Sequence, residues 1–321
     1  MSYPKVKLGV LLPTRGLLLG EARPKSAEMV LNLAQRVEEA GLDSVWVGDS
    51  LTAKPRLEPL STLAAVAART QRVRLGTAVL LMALRHPVPL TQTIATVDLI
   101  SQGRLIIAAG VGGAFNVQQQ QEWQNAGVRA SQRARRLEEM VQIIKGLGFG
   151  QPVTFQGRHF DLDSVVMQPR PAHSEGVPIL LACHWRSRAR DAQFQRAARW
   201  ADGLISISDT PEEYRQVVQQ VRSIAADLGR DPSDLETAMY LTVNVGQSVS
   251  RAEAESEKFL TGYYGANIWG TRWGPFGDPE RVKDCLAEYA EAGAQTLVVR
   301  FASFEPERQL EMFLERVAPA F

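Results

Sequence analysis

Leu75-Gly-Thr-Ala-Val-Leu-Leu-Met-Ala-Leu-Arg-His-Pro87 reads as a buried strand that breaks off at Met82 and restarts as a helix after Pro87. Proline suits a first helical turn because its fixed φ is already helical and its missing N–H would have no partner there. A strand that feeds a helix across a short break is half of a βα repeat, so the neighbouring sequence should show the same alternation.

It does. Candidate strands are Lys7–Pro13, Ser44–Gly48, Arg74–Leu81, Arg104–Gly110, Pro178–Ala182, Gly203–Ile207, Thr237–Val245 and Gln295–Phe301. Most are continuous apolar runs, as expected for parallel strands covered on both faces. Between them lie helical patterns: Val30, Leu33, Ala34 and Val37 keep the i, i+3, i+4, i+7 spacing, and so do Leu310, Phe313, Leu314 and Val317. Thr210-Pro-Glu-Glu213 is a capping box and Asp278-Pro279 a second cap, while Ala40-Gly41 and Ala292-Gly293 each stop a helix before a strand. Eight such strands in 321 residues fit a single closed (β/α)8 TIM barrel over residues 1–321 better than two doubly wound halves.

Two stretches break the repeat. Residues 152–171 read as a hairpin excursion, and Tyr263–Gly277 as a Gly-rich aromatic loop without helical period. A long irregular loop in a compact domain is either a lid or a segment packed on its own aromatics. Gln118–Gln121 reads as a short solvated loop.

A net charge of +1 gives no reason to expect nucleic acid or an anionic membrane as partner. The opening MSYPKVKLGVLL is too short for a signal peptide, and no run of about 18 apolar residues exists to span a bilayer. Cys183 and Cys285 lack C-x-x-C spacing, so neither a disulfide scaffold nor a zinc site is expected. A reducing cytoplasm is the expected compartment.

Barrel chemistry gathers where strands end. Those ends supply Thr14, Asp49, Ser50, Val79 to Leu81, Gly110 to Gly113, Cys183, His184, Ser206, Ser208, Asn244 and Arg300. The set offers neither a pair of catalytic acids nor three metal ligands, and points to a cofactor that carries the chemistry. Gly110-Val-Gly-Gly-Ala-Phe115 fails the dinucleotide fingerprint at Phe115, yet its glycines still let backbone approach a ligand. Asp49-Ser50 is either a helix cap or a site pair. His86 reads as structural at the start of a helix, whereas His159 and His173 should face solvent. His184 is the one strand-end histidine, beside a Cys183 that reads as a small buried residue. Arg129, Arg133, Arg135 and Arg136 form a solvated face, or one of them pairs with a phosphate.

The run LGTAVL…RHP, with AGLDSVWVGDS before it and SQGRLIIAAGVG after it, resembles the bacterial luciferase-like family of flavin and deazaflavin oxidoreductases. RARRLEEMVQIIKGL, VPILLA, RAARWADG, GDPERVKDCLAEYAEAG and MFLERVAPAF extend the similarity over nearly the whole chain. The resemblance implies a flavin at the barrel mouth and a cis peptide at Ala78–Val79. It implies cofactor contacts at Asp49, Leu81, Gly112, Gly113, Asn116, Cys183, His184, Arg186 and Ser187, with Arg133 near the phosphate. Catalysis would involve Asp49 and Ser50, and the substrate would meet Thr14, Tyr264, Trp269 and Trp273. The last three lie within the loop Tyr263–Gly277, which is expected to be a mobile lid over the substrate side of the flavin. Three departures stand out: Ser50 replaces a frequent histidine, Gly113-Ala114-Phe115 replaces the Thr-Gly-Glu of sugar-phosphate dehydrogenases, and Cys183-His184 replaces Gly-Gly.

The activity so implied is oxygenation of a small organic substrate by reduced FMN and oxygen, with FMN supplied by a reductase or a diffusible pool, in a homodimer. Hydride transfer with coenzyme F420 is the alternative, and flavin binding without turnover is a third reading suggested by Ser50.

Overall fold

A computed structural model describes residues 3–20, 23–268 and 270–321. Eight parallel strands form a closed ring: β1 (Lys7–Leu11), β2 (Ser44–Val47), β3 (Arg74–Leu80), β4 (Leu105–Ala109), β5 (Ile179–Ala182), β6 (Gly203–Ile207), β7 (Glu236–Val245) and β8 (Thr296–Phe301). Each pairs with its sequence neighbours, and β8 closes the ring on β1 through Leu8↔Leu297 and Gly9↔Val298. The result is the expected TIM barrel.

The unbroken hydrophobic runs follow from this closure. In β4, Ile106 and Ala108 join Leu11, Trp46, Ala78, Leu180, Ile205, Ala238, Tyr240 and Val298 inside the barrel. The alternate residues Leu105, Ile107 and Ala109 face the surrounding helices. Both faces are dry, so no polar alternation survives. Helix Glu28–Glu39 buries Val30, Leu33, Ala34 and Val37, the stripe its spacing predicts. The capping box at Thr210 and the cap at Asp278 both form, and Gly41 and Gly293 take positive φ after their helices.

The excursion is an antiparallel hairpin of Val153–Gln156 with Asp161–Val165. Its turn is held by buried Glu139, which accepts the Arg158 and His159 N–H groups. Three expectations are corrected. Gln118–Gln121 lies within helix Val117–Asn125, because Asn116 caps it through Gln119 N–H and Trp123 anchors it in the core. Tyr263 and Tyr264 end helix Val249–Tyr264, whose stop is Gly265 at φ 85°; beyond it Phe276–Gly277 pairs with β7. His173 is only partly exposed and binds the buried Asp98 carboxylate through its ring and its N–H. Among the described residues no helix is long and apolar enough to cross a membrane.

Candidate active site

The catalytic rim is organised around a bulge in β3. The Ala78–Val79 peptide is cis, where the family resemblance puts it, and the register with β4 slips between Ala78↔Ala108 and Leu80↔Ala109. Val79 thereby leaves the ladder and sits against Gly110, where a Cβ would lie 2.7 Å from Val79 Cγ2. Gly112, at φ +77°, packs on Trp123 with similar closeness. Glycine is required by space at both and by backbone conformation at Gly112.

Bulge and glycine turn form one wall of an open cleft of 1160 Å³ at the strand ends. Of the residues expected to meet a cofactor, Val79, Gly110, Gly112, Gly113, His184, Arg186 and Ser187 line it together. The cleft thus has an apolar ledge, exposed backbone and a polar end, which suits a planar ring with an anionic tail.

Several expected contacts serve other purposes. Asp49 is buried and fully engaged: Oδ2 accepts the Leu81 N–H at 2.9 Å and Arg85 Nη1 at 2.5 Å, and Oδ1 accepts Arg85 Nη2 at 3.2 Å. It therefore braces the bulge instead of presenting a free carboxylate, and it caps no helix, since Glu58 does that for Pro59–Arg69. Ser50 donates to Glu122 at 2.6 Å and accepts the Lys54 N–H, so it organises the loop after β2. Asn116 is a helix cap. Arg133 donates to Gly112 O at 3.2 Å and Ala130 O at 2.6 Å, fixing the glycine turn from behind. Leu81 and Ala78 are buried beside the bulge, and Thr14 is buried at the end of β1. His86 accepts the Val88 N–H as the cap of helix Pro87–Ser101.

The β5 and β6 ends carry the ionisable groups. Cys183 is wholly buried, which pushes its thiol up to about 12 and leaves it unreactive at neutral pH. Burial pushes His184 down to about 4, so its imidazole is neutral. Its Nδ1 lies 3.3 Å from Ser206 Oγ, and Ser206 donates to Asp209 Oδ2 at 2.5 Å. Asp209 also accepts the Trp185 N–H, and burial is the main cause raising its pKa. Asp209 and Arg272, both in the cleft wall, escaped the sequence reading. Asp209 lies one residue beyond the strand-end Ser208, and Arg272 lies in the loop, ion-paired with Glu213.

Across the mouth, β7 and β8 present a different chemistry. Arg300 is buried, donating to Tyr264 Oη at 2.6 Å and Thr242 Oγ1 at 2.7 Å. Trp273 is 5% exposed and stacks on Tyr264, with centroids 5.4 Å apart. Tyr264 and Trp273, expected in a lid, form a packed aromatic pair in this structure, and Trp269 lies outside the described residues.

Parallel barrel, strand-end cleft and glycine-lined wall define a TIM-barrel protein whose rim cleft suits a planar cofactor. The chain belongs to the luciferase-like monooxygenase family, whose description matches residues 6–273. It is 29% identical to an F420-dependent glucose-6-phosphate dehydrogenase of Amycolatopsis mediterranei, over 90% of this chain and 93% of that protein. A Nakamurella multipartita protein of the same name is 28% identical, over 90% and 91%. Among solved structures, a monooxygenase of Streptomyces bottropensis superposes with TM-score 0.80 at 23% identity, covering 98% of this chain and 99% of that one. An F420-dependent secondary alcohol dehydrogenase, in complex with an F420–acetone adduct, superposes with TM-score 0.79 at 21% identity, covering 99% of each. At those identities the solved structures speak for the fold.

Proposed function

We propose that this protein is a coenzyme F420-dependent oxidoreductase that moves a hydride between the deazaflavin and a small organic alcohol or carbonyl compound. The observation that carries this reading is sequence similarity along 90% of the chain to dehydrogenases named for that cofactor. Reduced FMN with oxygen, the first expectation from the family, has weaker support, because the monooxygenase neighbour is less similar in sequence. Flavin binding without turnover is set aside, since these relatives are named as enzymes.

The residues fit such a cofactor. Val79 would support the ring, the Gly110–Gly113 backbone would approach it closely, and Arg186 and Ser187 would receive the anionic tail. When bound, the deazaflavin supplies a carbon that accepts or releases hydride. The protein's part is to position ring and substrate and to hold a proton nearby, for which neutral His184 and Asp209 are the available groups. A diffusible deazaflavin needs no partner reductase. The Gly113-Ala114-Phe115 turn lacks the glutamate implied for sugar-phosphate dehydrogenases, so the proposed substrate is not glucose 6-phosphate.

Anaerobic titration of the purified protein tests this. Oxidised F420 should bind saturably and FMN much more weakly, and secondary alcohols should bleach the bound deazaflavin. Tight FMN binding with no F420 binding would overturn the proposal.

A further inference from the structure

Four cations converge beside the mouth at the β8–β1–β2 side. Arg300 Cζ lies 5.0 Å from the Tyr263 ring, 5.3 Å from Tyr264 and 4.9 Å from Trp273. Arg15 Cζ is 5.1 Å from the Tyr263 ring and Lys54 Nζ 4.9 Å from Tyr264. Arg56 lies over Gly48 at the end of β2.

Among the described residues none of the four has a carboxylate partner. Within the described residues Arg15, Lys54 and Arg56 donate only to backbone carbonyls. Arg300 is 4% exposed, and among the described residues its Nε has no acceptor. Some arginines of the barrel are matched, Arg85 with Asp49, Arg74 with Glu236 and Arg272 with Glu213. Those that donate to neutral groups alone, such as Arg133 and Arg230, stand apart from one another and not in a cluster of four. The whole chain has a net charge of only +1, so composition does not force this local excess. Aromatic faces attract a guanidinium, yet they are neutral and leave the mutual repulsion of four cations in place. The field is felt locally: burial pushes the Tyr263 hydroxyl up, but Arg56, Arg300 and Arg15 outweigh it and bring it below its ordinary value.

Arg300 and Tyr263 also line an apolar cavity of 190 Å³ between the β1 and β8 ends and the helices packed on them. Leu12, Leu17, Met29 and Phe259 contribute to its walls. An apolar cavity of about 150 Å³ is enough for benzene.

We propose that this place is the anion-recognition end of the substrate site, and that its ligand is an organic carboxylate with an apolar body of about phenyl size. The carboxylate would take the donor edge of Arg300 and balance its cationic neighbours, and the apolar body would fill the cavity. Its role as substrate rests on the oxidoreductase reading above; the binding itself does not.

The test therefore uses cofactor-free protein and the unreactive probe phenylacetate, with phenylacetamide as its neutral isostere. Calorimetry and thermal shift should show saturable phenylacetate binding, with phenylacetamide at least about tenfold weaker, as expected when a charged hydrogen bond is lost. Arg300→Met should weaken phenylacetate by at least about tenfold. Leu17→Trp, which fills the cavity without touching a charge, should do the same and covers the case in which the arginine variant does not fold. Equal binding of acid and amide, no saturable binding, or phenylacetate affinity within about twofold of the parent in Leu17→Trp would overturn the inference. Failure of F420 to bind would leave these outcomes unchanged.

Discussion

His184 shows how one half-buried side chain in the cleft wall couples the site to solution conditions. Folding takes its imidazole from an ordinary value of 6.5 to about 4, because burial penalises the charged form. Between those values the unfolded chain binds a proton that the folded chain refuses, so stability falls as pH drops through that window and recovers as pH rises. His184→Asn keeps a polar partner for Ser206 and removes the titration. Melting temperatures measured across the window should decline less in the variant than in the parent. Parallel curves would mean that the imidazole is solvated in the folded protein. The difference between the two curves matters because Asp209 titrates nearby with its pKa raised, mainly by burial, and contributes equally to both.

The β3 bulge is the element on which the cleft depends, and Asp49 holds it. Its carboxylate joins a strand-end N–H to the part-buried Arg85, with 1% and 17% side-chain exposure on the two partners. Removing one member of such a pair leaves the other charge stranded. Asp49→Ala should therefore lower unfolding free energy by about 3 kcal/mol in urea titrations. Asp49→Asn, which keeps an acceptor for Leu81, should fall between. A loss below about 1 kcal/mol would show that Glu58, 3.2 Å from Arg85, takes over. At this scale much of the architecture was legible. Apolar runs and caps mark all eight strands, because burial on both faces leaves a continuous hydrophobic signal. Gln118–Gln121 shows no helical signal of its own, because its helix is anchored by Trp123 and capped by Asn116, neither of which lies in the polar run. The helix end at Tyr264 is hidden in the Tyr263–Gly277 stretch because the buried partners of Tyr263, Phe259 and Leu260, precede that stretch. Asp49 illustrates the limit for the site: strand-end position predicts that a residue is near the cofactor wall, but its partner Arg85 is 36 positions away and only folding joins them.

Across the whole molecule, the rim can diversify because the barrel beneath it is rigidly filled. Trp46 is wholly buried inside the barrel, its Nε1 donating to Ser44 Oγ at 2.9 Å. The register aligns Leu11 with Trp46 and Trp46 with Gly76. A Cβ at Gly76 would collide with the indole ring, and one at Gly9 would reach 2.6 Å from its Nε1. Two glycines on the flanking strands thus make room for one large ring, so volume is traded between strands across the closed wall. Gly76→Ala should force the indole off its position and cost about 1–3 kcal/mol, the usual range for overpacking. Trp46→Leu should cost more, through the cavity it leaves. On that background Gly76→Ala should be nearly neutral, because the added methyl then enters space the indole vacated. The expected coupling is about 1–3 kcal/mol in a double-mutant cycle followed by chemical denaturation. Strict additivity would mean that the glycine serves the backbone of β3 and not the ring, and that the barrel interior is not packed by this exchange of volume.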